Sequence, residues 1–137
     1  MREFIFDLRK LSQEKGAHLV IFDPEFEENH DSLNSLHEKD RMRNEEYKNT
    51  VAGRVYDHLF RKVRVADVCF IFNKDGYLGA NTNGELFAAA ALGKTIYALH
   101  EKTMMGHYPN DLYEEPSSRK LIHEVVETPE ELWKRMV

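Results

Sequence analysis

One cysteine in 137 residues leaves no partner for an internal disulfide, so the chain must be held by its core and not by crosslinks. That thiol, Cys69, lies inside Val68-Cys69-Phe70-Ile71-Phe72, the setting of a buried small hydrophobe and not of a reactive nucleophile. Such cysteine usage fits a reducing, cytoplasmic setting. Long apolar runs are also missing. The longest, Leu86 to Leu92, falls far short of the roughly 20 residues a membrane span needs. Arg2, Glu3 and Asp7 occupy the N-terminus where a signal peptide would carry an apolar core, so neither a membrane partner nor a targeting segment is expected. Positive charge is in deficit. Nineteen Lys and Arg against 24 Asp and Glu give a net charge of −5, the wrong sign for neutralising phosphodiester backbones, so duplex nucleic acid is not an expected partner. Among the seven histidines no pair stands at i, i+3 or i+4, and the helical zinc signature is therefore absent. No metal and no cofactor are expected.

What is present is ordinary globular text, 42% apolar and 31% charged, of a length that suits one domain over 1–137. Phe4, Ile5, Leu8 and Leu11 recur at helical spacing, Gly16 stops that helix, and His18 to Phe22 reads as a first short strand ending at Asp23-Pro24. Glu25 to about Asn44 is polar and acidic without a sustained period, which predicts a long loop with one short helix. Val51, Val55, Leu59 and Val63 then repeat every four residues, with Phe60 widening the stripe, and predict an amphipathic helix from about Glu45 to Val65. Val68 to Phe72 has no polar alternation, as expected of a strand covered on both faces in a parallel sheet.

A loop from Asn73 to Asn81 leads into an alanine-rich helix, Thr82 to Gly93, and a further strand, Thr95 to Leu99. Beyond it the text is mixed, with Pro109 and Pro116, then a strand between Leu121 and Val126 and a helix opened by Thr128-Pro129-Glu130-Glu131. In that opening Thr128 caps, Pro129 takes the first helical position and Glu131 completes a capping box. Helices alternating with short apolar strands predict a three-layer α/β domain, a parallel sheet with helices on both faces, whose ligand site lies at the carboxyl ends of the strands.

The loop and helix start from Asn73 to Glu85 fall at that edge. Gly76 and Gly79 permit a positive φ or close backbone approach, and the following helix offers free N–H groups and a positive dipole end to developing negative charge. Glu85 would face the crevice from the helix's first turn. The spacing Thr82-x-x-Glu85 is equally that of a capping box, in which the carboxylate only satisfies a backbone donor. Spacing leaves both readings open.

Ala66-Asp67 with Val68 to Phe72, then Gly76-Tyr77-Leu78-Gly79-Ala80-Asn81-Thr82 and Glu85, then Ala88, Ala89, Gly93-Lys94 and Ile96, resembles the core of the nucleoside 2-deoxyribosyltransferase-like superfamily. The match covers roughly 54–99, the ends following only by element order. The resemblance implies a flavodoxin-like (Rossmann-like) fold and cleavage, transfer or hydrolysis of the N-glycosidic bond of a nucleoside or nucleotide. It puts the family's nucleophilic glutamate on Glu85 and makes a small-molecule nucleoside or nucleoside monophosphate the expected partner. It also implies a homo-oligomer. Asp57 is the nearest counterpart of a carboxylate that contacts the base. Gly76, Tyr77, Gly79, Asn81 and Thr82 would bind substrate, Tyr77 by stacking on the base, and Asn81 and Thr82 through sugar or phosphate oxygens.

The chain departs from that pattern twice. Gly79-Ala80-Asn81 lacks the acidic residue that usually holds the sugar hydroxyls, which leaves Asn81 as its substitute. No strand precedes the first helix, so the expectation is a longer natural product, rearranged strands or a partner chain closing the gap. Two other functions fit the same text. Gly79-x-Asn81-Thr82-x-x-Glu85 resembles the Gly-x-Gly-Thr-x-x-Glu loop of cytokinin-activating phosphoribohydrolases, with Asn81 in place of a glycine. A catalytically silent nucleotide-binding or assembly module would keep the fold without the chemistry.

Overall fold

The computed structural model describes residues 1–23 and 38–137. It is an α/β structure around a parallel sheet of β1 (Val68–Ile71), β2 (Thr95–Ala98) and β5 (Glu124–Val125), in the order β1-β2-β5. The helices are α1 (Arg2–Glu14), α2 (Glu38–Arg41), α3 (Glu45–Asp57), α4 (Ala80–Ala91), α5 (Pro116–Leu121) and α6 (Pro129–Met136). An antiparallel hairpin, β3 (Met104–His107) and β4 (Asp111–Glu114), stands apart from the sheet. Among the described residues no helix is long and apolar enough to cross a membrane.

The unbroken apolar text of β1 and β2 is explained by burial on both faces. Cys69 and Ile71 of β1 and Ile96 and Ala98 of β2 join one apolar cluster with Leu86 and Ala89 of α4. The alternate residues, Val68, Phe70 and Tyr97, join a second cluster with Leu8 of α1 and Leu132 and Trp133 of α6. Side chains of a strand alternate in direction, so helices on both faces demand apolar residues at every position. Register is parallel throughout, with Val68 opposite Thr95 and Tyr97 opposite Glu124.

The helix boundaries follow local hydrogen-bond needs. α4 ends where Gly93, at φ +72°, lets its own N–H reach Ala90 O and that of Lys94 reach Ala89 O, satisfying carbonyls the last turn would leave open. At the start of α6, Thr128 Oγ1 accepts from Glu131 N–H at 3.2 Å. Glu131 returns to the N–H of Glu127 at 2.9 Å, one residue before the cap. The box expected from the sequence is thus present with its second arm displaced.

Three expectations about these elements require correction. His18 to Phe22 is not a strand: Leu19 and Ile21 pack on the second cluster while Val20 and Phe22 stay exposed, and no ladder bond to this segment is seen among the described residues. Apolar alternation buried one face, but among the described residues no backbone bond completes a ladder there. The expected helix over 45–65 is α3 followed by a π-helical turn, His58–Val63, in which the Arg64 N–H reaches Leu59 O. A four-residue apolar repeat is longer than the 3.6-residue α turn, and the wider i→i+5 turn keeps Val63 aimed at the core, where it is buried. The expected strand at 121–126 is only Glu124–Val125, because α5 takes its start. The hairpin β3–β4 was not foreseen in the mixed segment. Most of the polar stretch from Glu25 lies outside the described residues, and α2 falls in the part that is described.

Candidate functional site

The chain leaves β1 through a loop built around Asn73, which is fully buried. Its amide nitrogen donates to His100 O at 2.9 Å and Lys102 O at 2.8 Å, and its Oδ1 accepts from the His100 N–H at 3.0 Å. One side chain thereby ties the loop after β1 to the loop after β2. Gly76 follows at φ +84°, where a Cβ would come within 2.8 Å of Lys102 Cβ. The left-handed φ and the close approach of Lys102 both favour a glycine at this position. Tyr77 forms a bridge with Met104, and its ring lies 4.8 Å from that of Tyr108, so it joins the loop to the hairpin.

Gly79 is the N-cap of α4, with φ −71° and an extended ψ, and the helix begins at Ala80. The sequence-based start at Thr82 is therefore two residues late. This shift decides the standing of Glu85. Counting from Ala80, Thr82 is the third helical residue and Glu85 the sixth, and no side chain caps the helix. A capping box needs the glutamate at the third position, so Glu85 is not the cap its spacing allowed. Asn83 is also accounted for, its Oδ1 accepting from Ser118 Oγ of α5.

Glu85 instead faces α3 across a cavity of about 360 Å³, lined by Tyr47, Val51, Arg54, Val55, His58, Asn81 and Glu85. Val51, Arg54, Val55 and His58 fall on one α-helical face at i, i+3, i+4 and i+7. The Glu85 carboxylate is 24% exposed and stands 3.8 Å from His58 Nδ1. Burial pushes its pKa above the ordinary value of 4.5, while the positive charges of His58 and Lys62 pull it down, and burial prevails. Cys69 lies close enough to feel this carboxylate. Its thiol is pushed up to about 11, by burial first and by Glu85 second.

Of the expected site residues, the structure brings Asn81 and Glu85 together at the cavity. Asp57 is not with them: it pairs with Arg61 at 3.3 Å and lines a neighbouring hollow of about 330 Å³ with Thr50, Gly53, Arg54 and His58. Gly76 and Tyr77 belong to the loop's own framework, while Gly79 and Thr82 shape the start of α4. Reasoning from the sequence missed Tyr47, Arg54 and His58. Their signal was the helical face that Val51 and Val55 already defined. Among the described residues no three His, Cys, Asp or Glu side chains gather as a metal site would require.

Comparison with protein families, curated proteins and solved structures finds no match to this chain.

Proposed function

We propose that this chain cleaves or transfers the N-glycosidic bond of a nucleoside or nucleoside monophosphate, with Glu85 as nucleophile. The carrying observation is that Glu85 lines a cavity, half-buried and with a raised pKa, and is not a helix cap. A carboxylate poorly solvated and lining a cavity has the environment in which reactive groups are commonly found. The cavity volume also falls in the range of small-molecule sites, about 300 to 1,000 Å³.

In the proposed step a Glu85 oxygen bonds to the anomeric carbon as the bond from that carbon to the base nitrogen breaks. The electron pair leaves with the base, which takes up a proton, and a glycosyl ester remains on Glu85. Water then yields the free sugar and restores the carboxylate, or a second base takes the sugar. Asn81, one turn before Glu85 on the same wall of the cavity, supplies amide groups for sugar hydroxyls. Its place in the α4 first turn adds the positive end of the helix dipole, which favours an anionic substrate group.

The same proposal includes a three-layer flavodoxin-like arrangement, supported by the apolar clusters that α4 on one face and α1 with α6 on the other share with the sheet. Cytoplasmic residence and self-association belong to it as well. The test is chromatographic detection of free base from a panel of nucleosides and nucleoside monophosphates, with Glu85→Gln beside the wild type. Release by the wild type and a fall of at least about 10³-fold in the variant are expected. Comparable turnover by the Gln variant would remove the covalent mechanism. Thermal stabilisation by a nucleotide without release would identify a silent binding module.

A further inference from the structure

We propose that His58 is the positioning residue for Glu85: held against the carboxylate at the junction of α3 and the π-helical turn, its ring, when protonated, opposes proton uptake by Glu85. The inference rests on the reading of Glu85 as nucleophile and assigns its partner in the same cavity. His58 Nδ1 lies 3.8 Å from Glu85 Oε1, with the two side chains 17% and 24% exposed. Both line the cavity, one from each wall. At that separation, shielded from bulk water, a cation opposes the tendency of the carboxyl to take up a proton.

The backbone explains how the histidine is aimed. His58 closes α3, its N–H donating to the Arg54 and Val55 carbonyls, and it opens the π-helical turn. It therefore keeps the α-helical face of Val51, Arg54 and Val55 while the chain beyond it follows a wider turn. Such turns inside helices occur often where a side chain is placed for function. The other groups facing Glu85 play different parts. Lys62 adds positive charge while donating to the Asp23 carbonyl at 3.0 Å. Arg54 and Tyr47 line the cavity from α3 and Asn81 from α4. Cys69 of β1 keeps its proton, with its pKa pushed up to about 11. Imidazole is the group here whose charge ordinarily changes between about pH 5 and 8.

The test is an NMR titration of the Glu85 carboxyl carbon and the His58 ring in the whole chain, alongside the pH profile of base release. In the wild type each signal should show a second inflection where the other group titrates, as expected of interacting sites. His58→Gln should move the Glu85 midpoint upward and carry the acid limb of base release with it, and His58→Lys should return both toward the wild type. A Glu85 midpoint unmoved in His58→Gln, or wild-type curves without reciprocal inflections, would overturn the proposal. The second result needs no variant, so it stands even if His58→Gln fails to fold. Absence of base release in the wild type would sink the glycosidic reading alone, because the carboxyl titration decides the pairing independently.

Discussion

Asn73→Ala probes the tie between the loops that follow β1 and β2 most directly. The substitution removes three hydrogen bonds, to His100 O, Lys102 O and from His100 N–H, from a side chain with no exposed surface. At about 1 kcal/mol net for each bond, the loss comes to about 3 kcal/mol. With an unfolding entropy of about 2.1 cal/mol/K per residue, a chain of this length should then melt about 10 °C lower. Thermal unfolding followed by circular dichroism would measure it. Asn73→Asp sharpens the argument, since a carboxylate can still accept from His100 N–H but has no N–H for the two carbonyls 2.8 and 2.9 Å away. The Asp variant should be less stable than the Ala variant at pH 7 and regain stability on acidification, when a protonated carboxyl can donate to one carbonyl. An Ala variant melting within about 3 °C of the wild type would refute this account, because three satisfied buried bonds cannot be worth so little.

The remaining predictions concern titration and capping. The folded-state pKa of Glu85 is raised, so its carboxylate weakens the fold above that pKa and the effect vanishes below the ordinary value of 4.5. Glu85→Gln should therefore melt above the wild type at pH 8, with the gap closing toward pH 4; a variant melting below the wild type at pH 8 would contradict the burial argument. Cys69, with its pKa pushed up to about 11, should carry only about 0.1% thiolate at pH 8 and resist iodoacetamide until the chain unfolds. Rapid alkylation of the native protein, read by mass spectrometry, would oppose that. Thr128→Ala removes the side-chain acceptor for Glu131 N–H and should cost about 1 kcal/mol in urea unfolding, with Thr128→Ser restoring most of it.

Some parts of this protein are decided within a few residues of chain. α1 and its end near Gly16, the Thr128 cap of α6 and the doubly buried β1 and β2 all follow from caps, periods and apolar runs. In each case the residue types that satisfy the backbone, or demand burial, are neighbours in sequence, and so can be read there. Where the partner comes from far along the chain, the text was ambiguous. Leu19 and Ile21 carry a strand's alternation, yet ladder bonds require a neighbouring backbone that no local pattern supplies. The hairpin at 104–114 depends on a distant tie, with Leu78 N–H donating to Met104 O at 2.8 Å.

The candidate site divides in the same way. Glycines, asparagines and a glutamate after a buried strand marked the loop and helix start that follow the carboxyl end of β1. Whether Glu85 was a cap or a cavity group turned on a two-residue shift in the start of α4, because a capping box needs the glutamate at the third helical residue and Glu85 is the sixth. The Val51 and Val55 face pointed to His58, but its partner emerged only when α3 met α4, bringing residues 27 positions apart to within 3.8 Å. Local chemistry chose the helices and strands; burial of Glu85 and its meeting with His58 required the packing between them, since desolvation and Coulomb interaction depend on distance through space and not along the chain.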